Sequence, residues 1–150
     1  NEAGFDVTPV EMDLSSRSSI KALIAGGKVG EIKMLVNAAG VSPSQAPIEA
    51  ILKVYLYGTA VLLEKVGRAI APGGVGVTIS SQSCWRMPAL TAEQGEKLAT
   101  TPTEELLSLD LQPETIRDTL HAYQMAKRCN EKRITAQAVE WGERGARLND

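Results

Sequence analysis

Three short β-type runs separated by helical patterns constrain this chain more than any other feature. Ile32 to Val36 is apolar apart from Lys33, Val75, Val77 and Ile79 alternate into Ser80 and Ser81, and Arg147-Leu148-Asn149 opens a third run. Between the first two lie Ile48, Ile51, Leu52, Tyr55, Leu56, Leu62, Leu63, Val66 and Ile70, spaced at three and four as only a helix allows. Pro72, Gly73 and Gly74 stop that helix. A second helical pattern runs from about Thr119 to Trp141 and is closed by Gly142. Strands alternating with helices predict an α/β fold with a parallel sheet, because parallel neighbours need a crossover between them.

The remaining segments fill in this scheme. Asp6 to Met12, with Val7 and Val10, predicts a strand ahead of the others. A helix follows, capped by Ser15 or Ser16, carrying Ile20, Leu23 and Ile24, and ended by a left-handed cap at Gly26 and Gly27. The unbroken character of Ile32 to Val36 predicts a strand covered on both faces. From Met87 to Asp118 the chain is polar, with Pro102, Pro113 and short helical pieces, and Thr101, Pro102 and Glu104 read as a capping box with proline at the first helical position.

Composition narrows the function classes. Lysine and arginine number 16 against 18 acidic residues, a net charge of -2 without a polybasic run, which argues against a nucleic-acid partner. Aromatic residues are 4% of the 150, too few for a base-stacking platform. Charge or glycine interrupts every apolar stretch before the roughly 18 residues of a membrane span, so a soluble protein without a membrane partner is expected. Cys84 and Cys129 lie far apart and, with His121 the single histidine, supply no familiar zinc set; reduced thiols in a cytoplasmic setting are expected.

Several residues have chemistry to offer. Tyr123 and Lys127 stand four apart on a predicted helix and share a face, and an ammonium beside a phenol favours the phenolate needed for proton exchange. Ser81 closes a predicted parallel strand at its carboxyl end, where open sheets place ligands. Asn37-Ala38-Ala39-Gly40 closes another, with small side chains that let a flat ligand approach the backbone. Read singly, these are also a surface helix pair, a turn-forming serine and an ordinary strand-to-helix turn.

Taken together they are more specific. Asp13 after a strand, Asn37-Ala38-Ala39-Gly40 after the next, Leu56-Tyr57-Gly58-Thr59, Ile79-Ser80-Ser81, Tyr123-x-x-x-Lys127 and Arg147-Leu148-Asn149 closely resemble the short-chain dehydrogenase/reductase family. The resemblance covers residues 5 to 149, in order, apart from 88–118. It implies a Rossmann-like doubly wound parallel sheet and hydride transfer between NAD or NADP and a small-molecule carbonyl or alcohol. By that resemblance Tyr123 is the acid in reduction and base in oxidation, Lys127 supports it and holds the nicotinamide ribose, and Ser81, preferred over Ser80 or Ser83, orients the substrate oxygen. Asp13 would reach the adenine, while Asn37, Ala38 and Gly40 would line the adenosine ribose. A homodimer or homotetramer paired through residues 48–71 and 119–141 is also implied.

Three departures qualify the match. Tyr55 stands where the family has an asparagine whose main-chain carbonyl helps hold a water beside the lysine. Residues 88–118 form an insertion, expected as a helical lid or an oligomer contact, with Trp85, Met87 and His121 candidates to face substrate. The glycine-rich phosphate loop is not found: Gly26, Gly27 and Gly30 follow a helix, and Gly73, Gly74 and Gly76 precede a strand, whereas such a loop follows a strand and opens a helix. The motifs therefore predict residues 1–150 as the middle portion of a partial domain, lacking the first βαβ unit and the C-terminal strand and loop. Alone it should bind cofactor weakly or not at all and be marginally stable, because its sheet exposes an apolar edge. The alternative reading is a non-catalytic truncated relative, acting as an oligomerising or structural module.

Overall fold

The computed structural model describes residues 4, 6–26, 29–109 and 116–150; Gly27 and Pro113, cited above, lie outside them. The chain forms α1 (Arg17–Ala25), β1 (Ile32–Asn37), α2 (Ile48–Ile51), a π-helical turn (Leu52–Gly58), α3 (Thr59–Ala69), β2 (Ile70–Thr78), α4 (Ala92–Thr100), α5 (Thr119–Glu143) and β3 (Arg147–Asn149). Short 3-10 turns occupy Gln82–Trp85 and Thr103–Ser108. The strands pair in parallel in the order β1-β2-β3. Leu35 faces Gly76, and Gly76 faces Leu148.

This order dictates which face the helices cover. Both crossovers step the same way across the sheet, and right-handed connections then put α3 and α5 on one face. Ile20 of α1, Val61 and Leu63 of α3, and Ile134 and Trp141 of α5 share one core with Leu35 and Leu148 of the sheet. On the other face Met34 is 66% exposed, Val36 59% and Ile79 51%. The expectation that β1 is covered on both faces is therefore not met: among the described residues, only one face has helices against it. The α/β parallel architecture expected from periodicity is present.

Other expectations need correction. Residues 6–12 form no strand, and Val7 and Val10 are exposed, because among the described residues no neighbouring strand offers them a ladder. Ser16, one of the two expected caps, accepts from the Ser19 N–H at the start of α1, but Gly26 has φ −76° and is no left-handed cap. The expected long helix over 48–70 changes pitch in its π-helical turn and runs straight into β2 after Ala69; Pro72, Gly73 and Gly74 lie within the strand's irregular first half, where pairing jumps from Ile32–Ile70 to Met34–Val75. Gly142 lies inside α5, and the left-handed residue that turns the chain toward β3 is Gly145, at φ +72°.

The expected capping box at Thr101, Pro102 and Glu104 does not form. Pro102 precedes a 3-10 turn without a side-chain cap, and the Thr103 hydroxyl donates to Glu64 Oε2 at 2.7 Å. The box stands ten residues earlier, where Thr91 Oγ1 accepts from the Gln94 N–H and Gln94 Oε1 accepts from the Thr91 N–H. Thr91→Ala should lower stability by about 1 kcal/mol, the usual loss for such a cap, read as a lower urea midpoint at unchanged slope; an unchanged midpoint would show that α4 is held by packing alone. That packing is extensive. Leu98 and Leu106 are buried in a second core with Ile51, Leu56, Ala126 and Cys129, and the Arg133 guanidinium donates to the carbonyls of Leu98, Ala99 and Thr101. The described part of the 88–118 insertion is thus docked on α5, not free-standing over a cleft.

No helix among the described residues is long and apolar enough to cross a membrane, and no group of three metal-ligating side chains comes together among them.

Candidate active site

The carboxyl ends of β1 and β2 lie side by side, joined beyond the last ladder pair by the Ile79 N–H donating to the Asn37 carbonyl at 3.0 Å. Side chains of α5 and of the π-helical turn gather there. From α5, Lys127 reaches back to the strand and its Nζ donates to the Ile79 carbonyl at 2.5 Å. Ser81 is two residues further on. Its hydroxyl oxygen accepts from the Ser83 N–H at 3.2 Å, forming the turn that starts Gln82–Trp85. Lys127 is 5% exposed, and burial pushes its ammonium below the ordinary lysine value against the opposing pull of Cys84 and Asp150.

Tyr123 and Lys127 share a face of α5, as their spacing requires, with Lys127 Nζ 5.8 Å from the Tyr123 ring centroid. A third side chain completes the group. The Tyr55 ring lies 4.7 Å from Lys127 Nζ and meets Tyr123 edge to face, centroids 5.1 Å apart at 82°. Both geometries are attractive, the first because a ring face is negative and the second because ring edges are positive. The Tyr55 hydroxyl donates to the Val41 carbonyl at 2.8 Å. Burial, with the neighbouring Tyr123, raises the Tyr55 phenol above its usual range, and the bond to Val41 only partly offsets this.

The Asn37–Gly40 shelf is tied to the same ring. A Cβ on Gly40 would lie 2.1 Å from the Tyr55 hydroxyl, so glycine is what lets the ring sit there. Ala38 and Gly40 are exposed, whereas Asn37 is buried, donates weakly to Thr59 Oγ1 at 3.4 Å, and leaves its Oδ1 without a partner. Asp13 stands apart from this cluster at the exposed entry to α1. There the Ser15 hydroxyl and N–H both donate to its carboxylate, which holds it below the usual range.

Of the residues expected to face substrate, Met87 and His121 line a cavity of about 250 Å³ together with Arg86, Arg117 and Gln124. Trp85 instead projects outward, its ring stacked 4.0 Å from the Arg128 guanidinium. Cys84 and Cys129 are buried free thiols, and burial pushes Cys129 up to about 12.

One functional candidate is new from the structure. Asn130, 2% exposed, lies one turn beyond Lys127, and in the orientation that satisfies its amide Nδ2 donates to the Tyr55 carbonyl at 2.8 Å and to the Ala126 carbonyl at 3.3 Å. A signal existed in the sequence. Asparagine disfavours helix interiors, and positions 123, 127 and 130 share one face, so a polar partner across the interface was to be sought. The main-chain carbonyl of Tyr55 is thus engaged by protein.

No family profile matches the chain. It is 34% identical, over 149 residues, to the short-chain dehydrogenase/reductase bsc3 of Alternaria brassicicola, which spans 97% of this chain and 54% of that protein. Its fold matches the crystal structure of a 3-alpha-hydroxysteroid dehydrogenase from a Pseudomonas species complexed with NADH, at a TM-score of 0.75 and 23% identity, over 93% of this chain and 56% of that one. A short chain dehydrogenase from Mycobacterium smegmatis matches at a TM-score of 0.65 and 23% identity, over 93% and 51%. The chain spans about half the length of each. Over about half the length of each protein it matches, the chain is similar in sequence to a short-chain dehydrogenase/reductase and has the fold of two solved dehydrogenase structures.

Proposed function

We propose that this chain carries the acid–base side of an NAD(P)-dependent oxidoreductase that interconverts a small carbonyl compound and the corresponding alcohol. The observation that carries the reading is that Lys127, beside Tyr123, bonds the Ile79 carbonyl just past β2, two residues before Ser81. Sequence similarity to a short-chain dehydrogenase/reductase, and the fold shared with a solved dehydrogenase that holds NADH, support it.

The residues present suit such a cofactor. Asn37 Oδ1 is buried without a partner beside the exposed Ala38–Gly40 shelf, and these would line the adenosine ribose, with Asp13 reaching the adenine. When bound, the nicotinamide gives or takes the hydride. The protein's work is placement and proton handling. The Tyr123 hydroxyl gives a proton to the substrate oxygen in reduction and takes it back in oxidation, and the Lys127 ammonium stabilises the charge left on that oxygen and holds the nicotinamide ribose. Ser81 orients the substrate oxygen. For that its hydroxyl keeps a free proton to donate, since the turn uses only a lone pair. The same reading takes the protein as a cytoplasmic homodimer or homotetramer, with its buried free cysteines suited to a reducing compartment.

Fluorescence titration of the full-length protein with NADH and NADPH tests the reading. Saturable binding of at least one, with turnover of small carbonyl compounds, is expected; no binding of either would overturn it. A second reading, a non-catalytic structural or oligomerising module, is favoured by Tyr55, whose ring fills space between Gly40 and Lys127. Binding without turnover would favour that one.

A further inference from the structure

The π-helical turn Leu52–Gly58 has a consequence for its own backbone. The Thr59 N–H donates to the Val54 carbonyl, five residues back, whereas α3 from Thr59 onward uses the ordinary four-residue step. A helix that returns from the five-step to the four-step skips one carbonyl, and at this junction the skipped one is Tyr55's. A buried carbonyl without a donor is unfavourable, so its partner must come from elsewhere. It comes from α5: Asn130 Nδ2, 2.8 Å away.

Tyr55 also touches both residues of the acid–base pair. Its ring sits under Lys127 Nζ and edge to face with Tyr123, while its hydroxyl is fixed on the Val41 carbonyl. Tyr123, Lys127 and Asn130 form one stripe on α5, so the same helix face that presents the proton-handling side chains also grips the turn that seats the third ring.

We propose that Asn130 is a positioning residue that locks the π-helical turn through the Tyr55 carbonyl and thereby seats the Tyr55 ring against Lys127 and Tyr123. Catalytic significance rests on the function proposed above; the seating does not. Without the amide, the skipped carbonyl has no donor, and the turn relaxes toward the four-residue step. That change rotates Tyr55 by about 100° per residue of register, off Lys127 and away from Tyr123.

The test is NMR of the full-length protein carrying carbon-13 at tyrosine Cζ and the ring carbons, with resonances assigned by Tyr55→Phe and Tyr123→Phe. In the parent, Tyr55 and Tyr123 should show ring-to-ring cross-peaks, and Tyr55 should titrate above an ordinary phenol. In Asn130→Leu, with the same branching but without a donor, the cross-peaks should vanish and the Tyr55 titration should fall toward the ordinary value. Asn130→Asp keeps the shape and presents an acceptor, and should behave likewise. Turnover should drop roughly tenfold in kcat at unchanged KM, the scale of one positioning hydrogen bond. Cross-peaks and titration unchanged in either folded variant would overturn the proposal. Loss of folding in both would overturn it too, making Asn130 a determinant of the fold and not of one ring's seat. Failure of the parent to bind cofactor would sink the function reading and leave the ring readout intact.

Discussion

Phenylalanine at position 123 is expected to lower turnover by about 10²- to 10⁴-fold while leaving the fold and cofactor binding in place. The Tyr123 hydroxyl makes no hydrogen bond among the described residues, whereas its ring packs edge to face on Tyr55. Tyr123→Phe removes the proton-bearing atom and retains the packing. A positioned acid or base contributes about 10²- to 10⁴-fold, and the full-length variant should lose rate within that range with little change in NAD(P)H affinity or unfolding midpoint. Lys127 would still hold the ribose, through an ammonium anchored on Ile79 and not on Tyr123. The decisive comparison is kcat against binding. Retention of more than about a tenth of the parent's kcat would be incompatible with a general acid or base at this position, and a parallel loss of binding and stability would make Tyr123 a packing residue.

Much of this arrangement was legible in the sequence, and the reasons it was or was not are physical. Parallel order followed from alternating periodicities, because a crossover helix leaves a spacing that no hairpin can mimic. The pair Tyr123 and Lys127 was legible because helical spacing alone fixes a shared face. What periodicity cannot carry is identity of the partner. Residues 6–12 have a strand-like composition, but a strand exists only beside another, and none of the described strands lies there. Met34 and Val36 read as doubly buried because apolarity records what a face prefers, not what covers it. The π-helical turn was hidden because its residues keep an ordinary helical pattern; one extra residue per turn shows only in hydrogen bonds. Asn130 was visible as an oddity and its partner was not, since Tyr55 offers a backbone atom and backbone atoms have no sequence signature.

Two glycines, Gly67 inside α3 and Gly76, which the sequence placed before a strand and which lies inside β2, lead to the largest expected loss of stability. Both stand where their residue type weakens the element. A Cβ on Gly67 would lie 2.4 Å from Trp141 Nε1, and one on Gly76 would lie 2.6 Å from Trp141 Cζ3. Trp141 is 1% exposed, and its indole fills the space that the two glycines leave between α3, α5 and the sheet. Trp141→Ala removes that filling and should destabilise by about 3–5 kcal/mol, a large part of the roughly 5–15 kcal/mol that holds a domain together. The urea midpoint should fall accordingly. Trp141 Nε1 has no hydrogen-bond partner, so the loss is one of packing, and Trp141→Phe should lose distinctly less. The coupling to Gly67 gives the sharper test. In the parent, Gly67→Ala drives a methyl into the indole and destabilises; in the Trp141→Ala background the same methyl enters the vacated space and gains about 0.8–1.0 kcal/mol of helix propensity. The sign of the Gly67→Ala effect should therefore reverse between the two backgrounds. Equal effects in both would mean that the indole does not press on α3, and that Gly67 answers to some other contact.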